Sequence, residues 1–253
     1  MTNLRRMSGT DDKTSRANLT RGKLLVVNAD DLGMSQGVNR GIIQAHERGI
    51  VTSASLMVRW PAVRQAAEYA RAHPRLGVGL HLDFAEWCIR DHEWIPLYEV
   101  VDLSDSAAVR REVARQVESF LELMGRPPTH VDSHQHVHQD TRIRAIVEET
   151  ARRLDKPLRH TGQIRYCGDF YGQDEQGMAY HEGITAAALE RIIRHIPAGV
   201  TEIACHPGYD DQLKTMYRLE REMEVAALCD PRVRRALEES GVHLVNFSEI
   251  GCA

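Results

Sequence analysis

Strand-like and helix-like patterns take turns along this chain from Lys23 onward, with no linker and no break in composition between them. KLLVVNA reads as a buried strand, and GVNRGIIQAHERGI as a helix with Val38, Ile42, Ile43 and Ala45 on its apolar side. TSASLMV is the second strand. Pro61 then opens the helix PAVRQAAEYARAH, where proline suits the first turn, and Pro74 follows its end. GVGLHLD is a third strand. The helix AVRREVARQVESFLELMG, a strand at Thr129 to Ser133, the helix TRIRAIVEETARRL and a short strand at KPLRH come after it. The helix AAALERIIRHI, the strand VTEIACHPG, two helices between Lys214 and Glu239 and a last strand, VHLVNF, complete the series. Strands joined through helices pack as a mostly parallel sheet wrapped by those helices, so an α/β barrel or an open doubly wound sheet is expected. Two stretches without a clear period, Phe84 to Ser106 and Thr161 to Gly183, read as surface loops, and long loops in such domains tend to carry binding surfaces.

Composition narrows the classes of function. The 253 residues suffice for one large α/β domain, expected over residues 23–253, with residues 1–22 as a solvated, disordered leader that lacks the apolar segment of a signal peptide. A formal charge of −4 gives no global electrostatic reason for a nucleic-acid or anionic-membrane partner. No run approaches the roughly 18 consecutive apolar residues of a membrane span. Cys88, Cys167, Cys205, Cys229 and Cys252 are odd in number, scattered and without a CxxC pair, which argues against a disulfide framework and a cysteine-rich zinc module and fits a reducing, cytoplasmic setting. No GxGxxG or GxxxxGK[ST] loop is present, which removes the usual dinucleotide and P-loop readings.

Candidate chemistry gathers where strands end. Asp30 and Asp31 follow LLVVNA, His81 and Asp83 lie in GLHLD, Asp132, His134, His136 and His138 follow HV, and His206 follows EIAC. In α/β barrels, and by a similar rule in open sheets, the C-terminal strand ends line the face where active sites form. Adjacent carboxylates repel unless a cation, a proton or a hydrogen-bond network compensates, although an isolated Asp-Asp also suits an Asx turn or helix cap. The alternating His-x-His-x-His run puts its three imidazoles on one side if the strand continues that far, a natural set of metal donors. His81 interrupts an apolar run, where an unpartnered ring is costly to bury; a backbone carbonyl could satisfy it instead. Pro207 and Gly208 end their strand abruptly after His206, with or without a function for that ring.

Taken together in order and spacing, NADDLGMSQGVNRGI, VTSASLMV, GVGLHLD, THVDSHQHVH and EIACHPGY resemble the YdjC-like carbohydrate deacetylase family, which includes the chito-oligosaccharide deacetylases. The resemblance runs from about Leu24 to Tyr209 and extends toward the last strand. It implies a single catalytic (β/α) barrel of the glycoside hydrolase/deacetylase type, irregular in strand number. It also implies one divalent cation and hydrolysis of the N-acetyl group of an acetylated amino sugar or short oligosaccharide, with a homodimer as a further expectation. By position, Asp30 resembles the general base, while Asp31, His81 and His134 resemble the metal ligands. His206 is the candidate general acid by similarity to the wider polysaccharide deacetylases. Magnesium follows from the resemblance, whereas two histidines and one carboxylate also suit zinc. Asp132, His136, His138 and Arg159 are expected to bind substrate or to support the ligands.

The residues support that chemistry independently. An Asp-His-His set leaves coordination positions open for water and a carbonyl, and no Ser or Cys stands in a nucleophile-elbow context. The segment between His81 and His134 is shorter than in disaccharide-deacetylating members, and its Trp87, Asp91, Trp94 and Tyr98 match no family motif; the aromatics either stack on sugars or pack beneath the loop. Arg159 and Arg165 could orient Asp30 or bind substrate, but a surface arginine is the default reading for either. Amidohydrolase-like or PHP-type barrels are the rival enzymes, but they usually place His-x-His on the first strand. A non-catalytic metal- or sugar-binding barrel would not need Asp30 and His206.

Overall fold

β1 (Lys23–Leu32) sets the geometry around it: its residues are buried without interruption from Leu25, and parallel neighbours bond both flanks, as suits a continuous hydrophobic strand. The computed structural model describes residues 22–90, 93–162, 164–174 and 176–250. All but Gly22 of the expected leader, together with Asp91 and Cys252, lies outside the described residues. The other strands are β2 (Ser53–Leu56), β3 (Gly77–Leu82), β4 (Ala85–Arg90), β5 (Glu93–Glu99), β6 (Val131–Ser133), β7 (Arg165–Cys167), β8 (Gly199–Cys205) and β9 (Val242–Leu244). The α-helices are α1 (Gln36–Glu47), α2 (Val63–Ala72), α3 (Ser106–Met124), α4 (Arg144–Leu154), α5 (Ala186–Arg194), α6 (Leu219–Leu228) and α7 (Pro231–Ser240).

β6, β3, β2, β1, β8 and β7 lie side by side in that order, all parallel, and β9 pairs with the first residues of β1. Parallel pairing brings the C-terminal ends of β1, β3, β6 and β8 to one rim. Val131 makes a further parallel bridge to Leu158, beyond the β6 flank. From the next position Arg159 reaches Asp30 on β1 and Glu202 on β8. A side chain at one flank can touch a strand near the other only if the sheet is curled. The architecture is therefore α/β with a curled, parallel half-barrel sheet, and among the described residues no ladder joins β7 back to β6.

Helix boundaries follow local chemistry. Ser35 caps α1 by accepting from the Val38 N–H, and Val38, Ile42 and Ala45 are buried beneath it. Asp105 caps α3, and Gly125 ends that helix at φ 66°, where glycine is free of the Cβ penalty. Asp230 and Pro231 open α7. Among the described residues no helix is long and apolar enough to cross a membrane, and Cys88, Cys167, Cys205 and Cys229 are free.

Four sequence expectations change. The stretch after Phe84 is not a plain loop: β4 and β5 form an antiparallel ribbon, which tolerates Pro96 because it has only two strands. β7 lies within the expected loop from Thr161 to Gly183 and pairs with β8. KPLRH supplies only the single Leu158 bridge. The strand carrying Asp132 ends at Ser133, and residues His134–Gln139 turn as a 3-10 segment in which Gln135 and His136 adopt φ of 47° and 54°. The His-x-His-x-His run thus does not share one strand face.

Candidate active site

Ordinary strand alternation would send Asp30 and Asp31 to opposite faces of the sheet. A register shift between Ala29 and Leu32 and a left-handed φ of 68° at Asp31 break that alternation. Both carboxylates are buried, and both lie beside His81.

Asp31 is the hub of one group. Its Oδ1 lies 3.0 Å from His134 Nδ1 and 3.4 Å from His81 Nε2, while its Oδ2 accepts from Arg221 at 2.7 Å. The ligand atoms of Asp31, His81 and His134 fall within 4.8 Å of one another. His81 Nδ1 is held at 2.8 Å by Asp132 Oδ1, which leaves its buried Nε2 without a hydrogen-bond partner. A carboxylate behind an imidazole, fixing its orientation and raising its basicity, is the arrangement that metal-ligating histidines use. Burial alone would lower His81, but Asp132 and Asp30 outweigh it and push the ring up to about 10. His134 is likewise raised to about 9, burial being overcome by Asp31 and by Glu86, whose Oε2 lies 3.8 Å from Nε2. Burial opposes charge on Asp31 too, yet His134 and Arg221 hold its carboxyl well below the usual range. These surroundings favour a positive charge between the two rings and Asp31, and a divalent cation meets that demand as a proton does.

Asp30 belongs to a second group. Arg159 clamps it with two hydrogen bonds, Nη1 to Oδ2 at 2.6 Å and Nη2 to Oδ1 at 2.7 Å, and Asn28 donates to Oδ1 at 2.8 Å. Burial would raise this carboxyl, but Arg159 overrides it and keeps Asp30 ionised. The same guanidinium contacts Asp132 Oδ2 at 2.9 Å and Glu202 Oε1 at 2.7 Å. Arg159 is 3% exposed, so the surface default does not apply to it; Arg165 is exposed. Opposite Asp30 stands His206, its Nε2 3.9 Å from Asp30 Oδ2. Glu224 Oε1 lies 3.9 Å from His206 Nδ1, Glu224 accepts from the His206 backbone N–H and the Tyr217 hydroxyl, and the rings of Tyr171 and Tyr217 flank the imidazole.

The remaining candidates separate. Asp132 sits behind His81, with its Oδ2 also accepting from Ser55 at 2.6 Å. Asp83 accepts from Trp60 Nε1 and the Tyr98 hydroxyl, so Tyr98 packs beneath the ribbon, whereas Trp94 is 54% exposed. His136 and His138 turn away from Asp31 toward His160 and Tyr166. Sequence reasoning missed Glu202, Arg221, Glu224 and Glu86. Glu202 in VTEIAC carries the same signal that marked His81, a polar residue inside an apolar strand. Arg221 and Glu224 carry none, because LEREMEV reads as a solvated helix face.

The YdjC-like protein family model matches residues 24–239. The chain belongs to the YdjC-like family. That match continues past Tyr209 through α6, the helix that carries Arg221 and Glu224. The chain is 35% identical to a carbohydrate deacetylase of Geobacillus stearothermophilus, covering 88% of this chain and 96% of that one. It is 31% identical to a chitooligosaccharide deacetylase of Salmonella paratyphi B, covering 90% and 99%. Among solved structures it is similar to an Enterococcus faecalis V583 protein named for cellobiose-phosphate cleavage, with 26% identity, 91% and 99% coverage and a TM-score of 0.73. The Bc1960 peptidoglycan N-acetylglucosamine deacetylase, 11% identical over 92% and 89% of the two chains at a TM-score of 0.56, shares the fold.

Proposed function

We propose that this protein is a metal-dependent carbohydrate deacetylase that hydrolyses the N-acetyl group of an amino sugar or short oligosaccharide. The observation that carries the reading is the buried, unpartnered Nε2 of His81, 3.4 Å from Asp31 Oδ1 and oriented from behind by Asp132. Asp31, His81 and His134 would hold the cation, for which magnesium and zinc are the candidates. A divalent cation bound there polarises the amide carbonyl and lowers the pKa of a water. The names of the curated relatives support the substrate class.

Asp30 accepts the proton of the attacking water at Oδ2, the oxygen that faces His206. The Arg159 clamp keeps that carboxylate ionised and fixes its direction, at the expense of some basicity. His206 donates a proton to the leaving amine from Nε2. At 3.9 Å the two groups are too far apart for a direct hydrogen bond but close enough to reach the same substrate atoms. Tyr171, 38% exposed and 5.5 Å from the His206 ring, offers an aromatic face to a sugar at the mouth.

The test is acetate release from a panel of N-acetylated mono- and oligosaccharides after metal stripping and after restoration with magnesium or zinc. Release that depends on the cation is expected. Absence of release from every member of the panel with either ion overturns the reading.

A further inference from the structure

We propose that His136, His138 and His160 form a second cation site, separate from the Asp31–His81–His134 group, with the donor set of a borderline ion such as zinc. Their ligand atoms lie within 4.8 Å of one another. Each of the two inner rings is fixed through one nitrogen by a hydroxyl: Ser133 Oγ lies 2.7 Å from His138 Nδ1, and Tyr166 Oη lies 3.1 Å from His136 Nε2. The opposite nitrogens, His138 Nε2 and His136 Nδ1, are buried and have no hydrogen-bond partner. His138 is only 2% exposed, so its free nitrogen is withheld from solvent. A buried ring nitrogen without a partner carries a desolvation penalty, and two in one cluster ask for a shared partner.

The geometry suits an ion better than a carbohydrate hydroxyl. The His136 ring stands nearly perpendicular to those of His138 and His160, at 84° and 82°, while the His138 and His160 rings lie within 28° of parallel. Hydroxyls placed behind ligating rings are the partners that set ligand orientation. Three imidazoles without a carboxylate favour zinc over magnesium. Tetrahedral zinc separates its nitrogens by about 3.4 Å, so ligand atoms that lie within 4.8 Å of one another need to draw together by at most about 1.4 Å. His160, the exposed member, has the freedom to do so and leaves a fourth position open to water.

The experiment loads the chelator-stripped chain with zinc alone and measures bound metal after desalting, together with a competition titration. Two ions per chain are expected. His81→Ala should lose the ion of the Asp31 group and keep the other, so failure of the active-site reading and failure of this one are distinguishable. His160→Asn preserves a residue that tolerates the left-handed φ of 65° at that exposed position, and Tyr166→Phe removes only the supporting hydroxyl. Both should weaken the second ion by at least about tenfold, the lower end of what loss of a supporting partner costs, with an unchanged circular dichroism spectrum. A single zinc ion in the unmodified chain that His81→Ala removes overturns the proposal. So does a second ion whose affinity survives both substitutions, or one that His81→Ala also removes.

Discussion

Arg159 faces three buried carboxylates, and one positive charge cannot neutralise them all. Asp30 and Asp132 are held low, burial being outweighed chiefly by Arg159. The imbalance falls on Glu202, where burial outweighs Arg159 and raises the carboxyl from 4.5 to about 7. Below pH 4.5 Glu202 is protonated in both the folded and the unfolded chain. Between 4.5 and 7 the folded state keeps a proton that the unfolded chain has released, so stability falls as pH rises. Above 7 both are ionised and the loss is complete. At about 1.4 kcal/mol per unit, that interval corresponds to roughly 3 kcal/mol. Glu202→Gln keeps an oxygen to accept from Arg159 Nε, which now lies 2.8 Å from Glu202 Oε1, but carries no charge at any pH. Urea unfolding followed by circular dichroism at pH 4.5, 6, 7 and 8 should therefore show the variant gaining about 3 kcal/mol relative to the unmodified chain across that range. A stability difference that is the same at every pH would refute the reasoning, because Glu202 would then be ionised throughout.

Asp30→Asn is expected to retain fold and cation while losing about 10²- to 10⁴-fold in acetate release, since an amide cannot take the water proton; turnover at the unmodified rate rules out the assigned base. Replacing Asp31, His81 or His134 singly by Ala should sharply lower the ion held by that group, and elemental analysis showing full occupancy in all three would place it elsewhere. Gly41→Ala should destabilise by about 1–3 kcal/mol and lower turnover, because a Cβ there would stand 2.3 Å from Gly208 Cα and push on the turn that follows His206. A variant with unchanged melting temperature and rate would show that this contact yields freely.

The strand ends were legible because a parallel sheet brings them to one rim whatever the details of its curl. His81 was legible as a polar break in GVGLHL, and Asp30 and Asp31 as a repulsive pair after an apolar strand. The direction of those side chains was not legible, since it depends on one left-handed residue and a register shift that no propensity announces. The β4–β5 ribbon was hidden for a related reason: Trp, Asp and Pro in short order look like loop chemistry until the antiparallel pairing is seen. Arg159 could not be distinguished from a surface arginine because its three carboxylate partners come from β1, β6 and β8, far apart in sequence. Long-range charge pairing leaves no local pattern.

The backbone specials tie the two groups of histidines to the same physical theme. Six non-glycine residues among those described have positive φ, and three of them, Asp31, His136 and His160, are candidate ligands. Asp and His accept that region better than most residues, but it still stores strain that the surroundings must hold in place. Around Asp31 the holding is done by Arg221 and the two imidazoles; around His136 it is done by the Tyr166 hydroxyl. The turn at Gln135 and His136 directs His134 toward Asp31 and the next two histidines toward His160. A straight strand would have lined all three up on one face and left Asp31 with the same single ring but no independent neighbouring cluster. An ion at either group binds the folded arrangement and not the unfolded chain, so it should deepen the stability of that turn in proportion to the logarithm of its concentration over its dissociation constant.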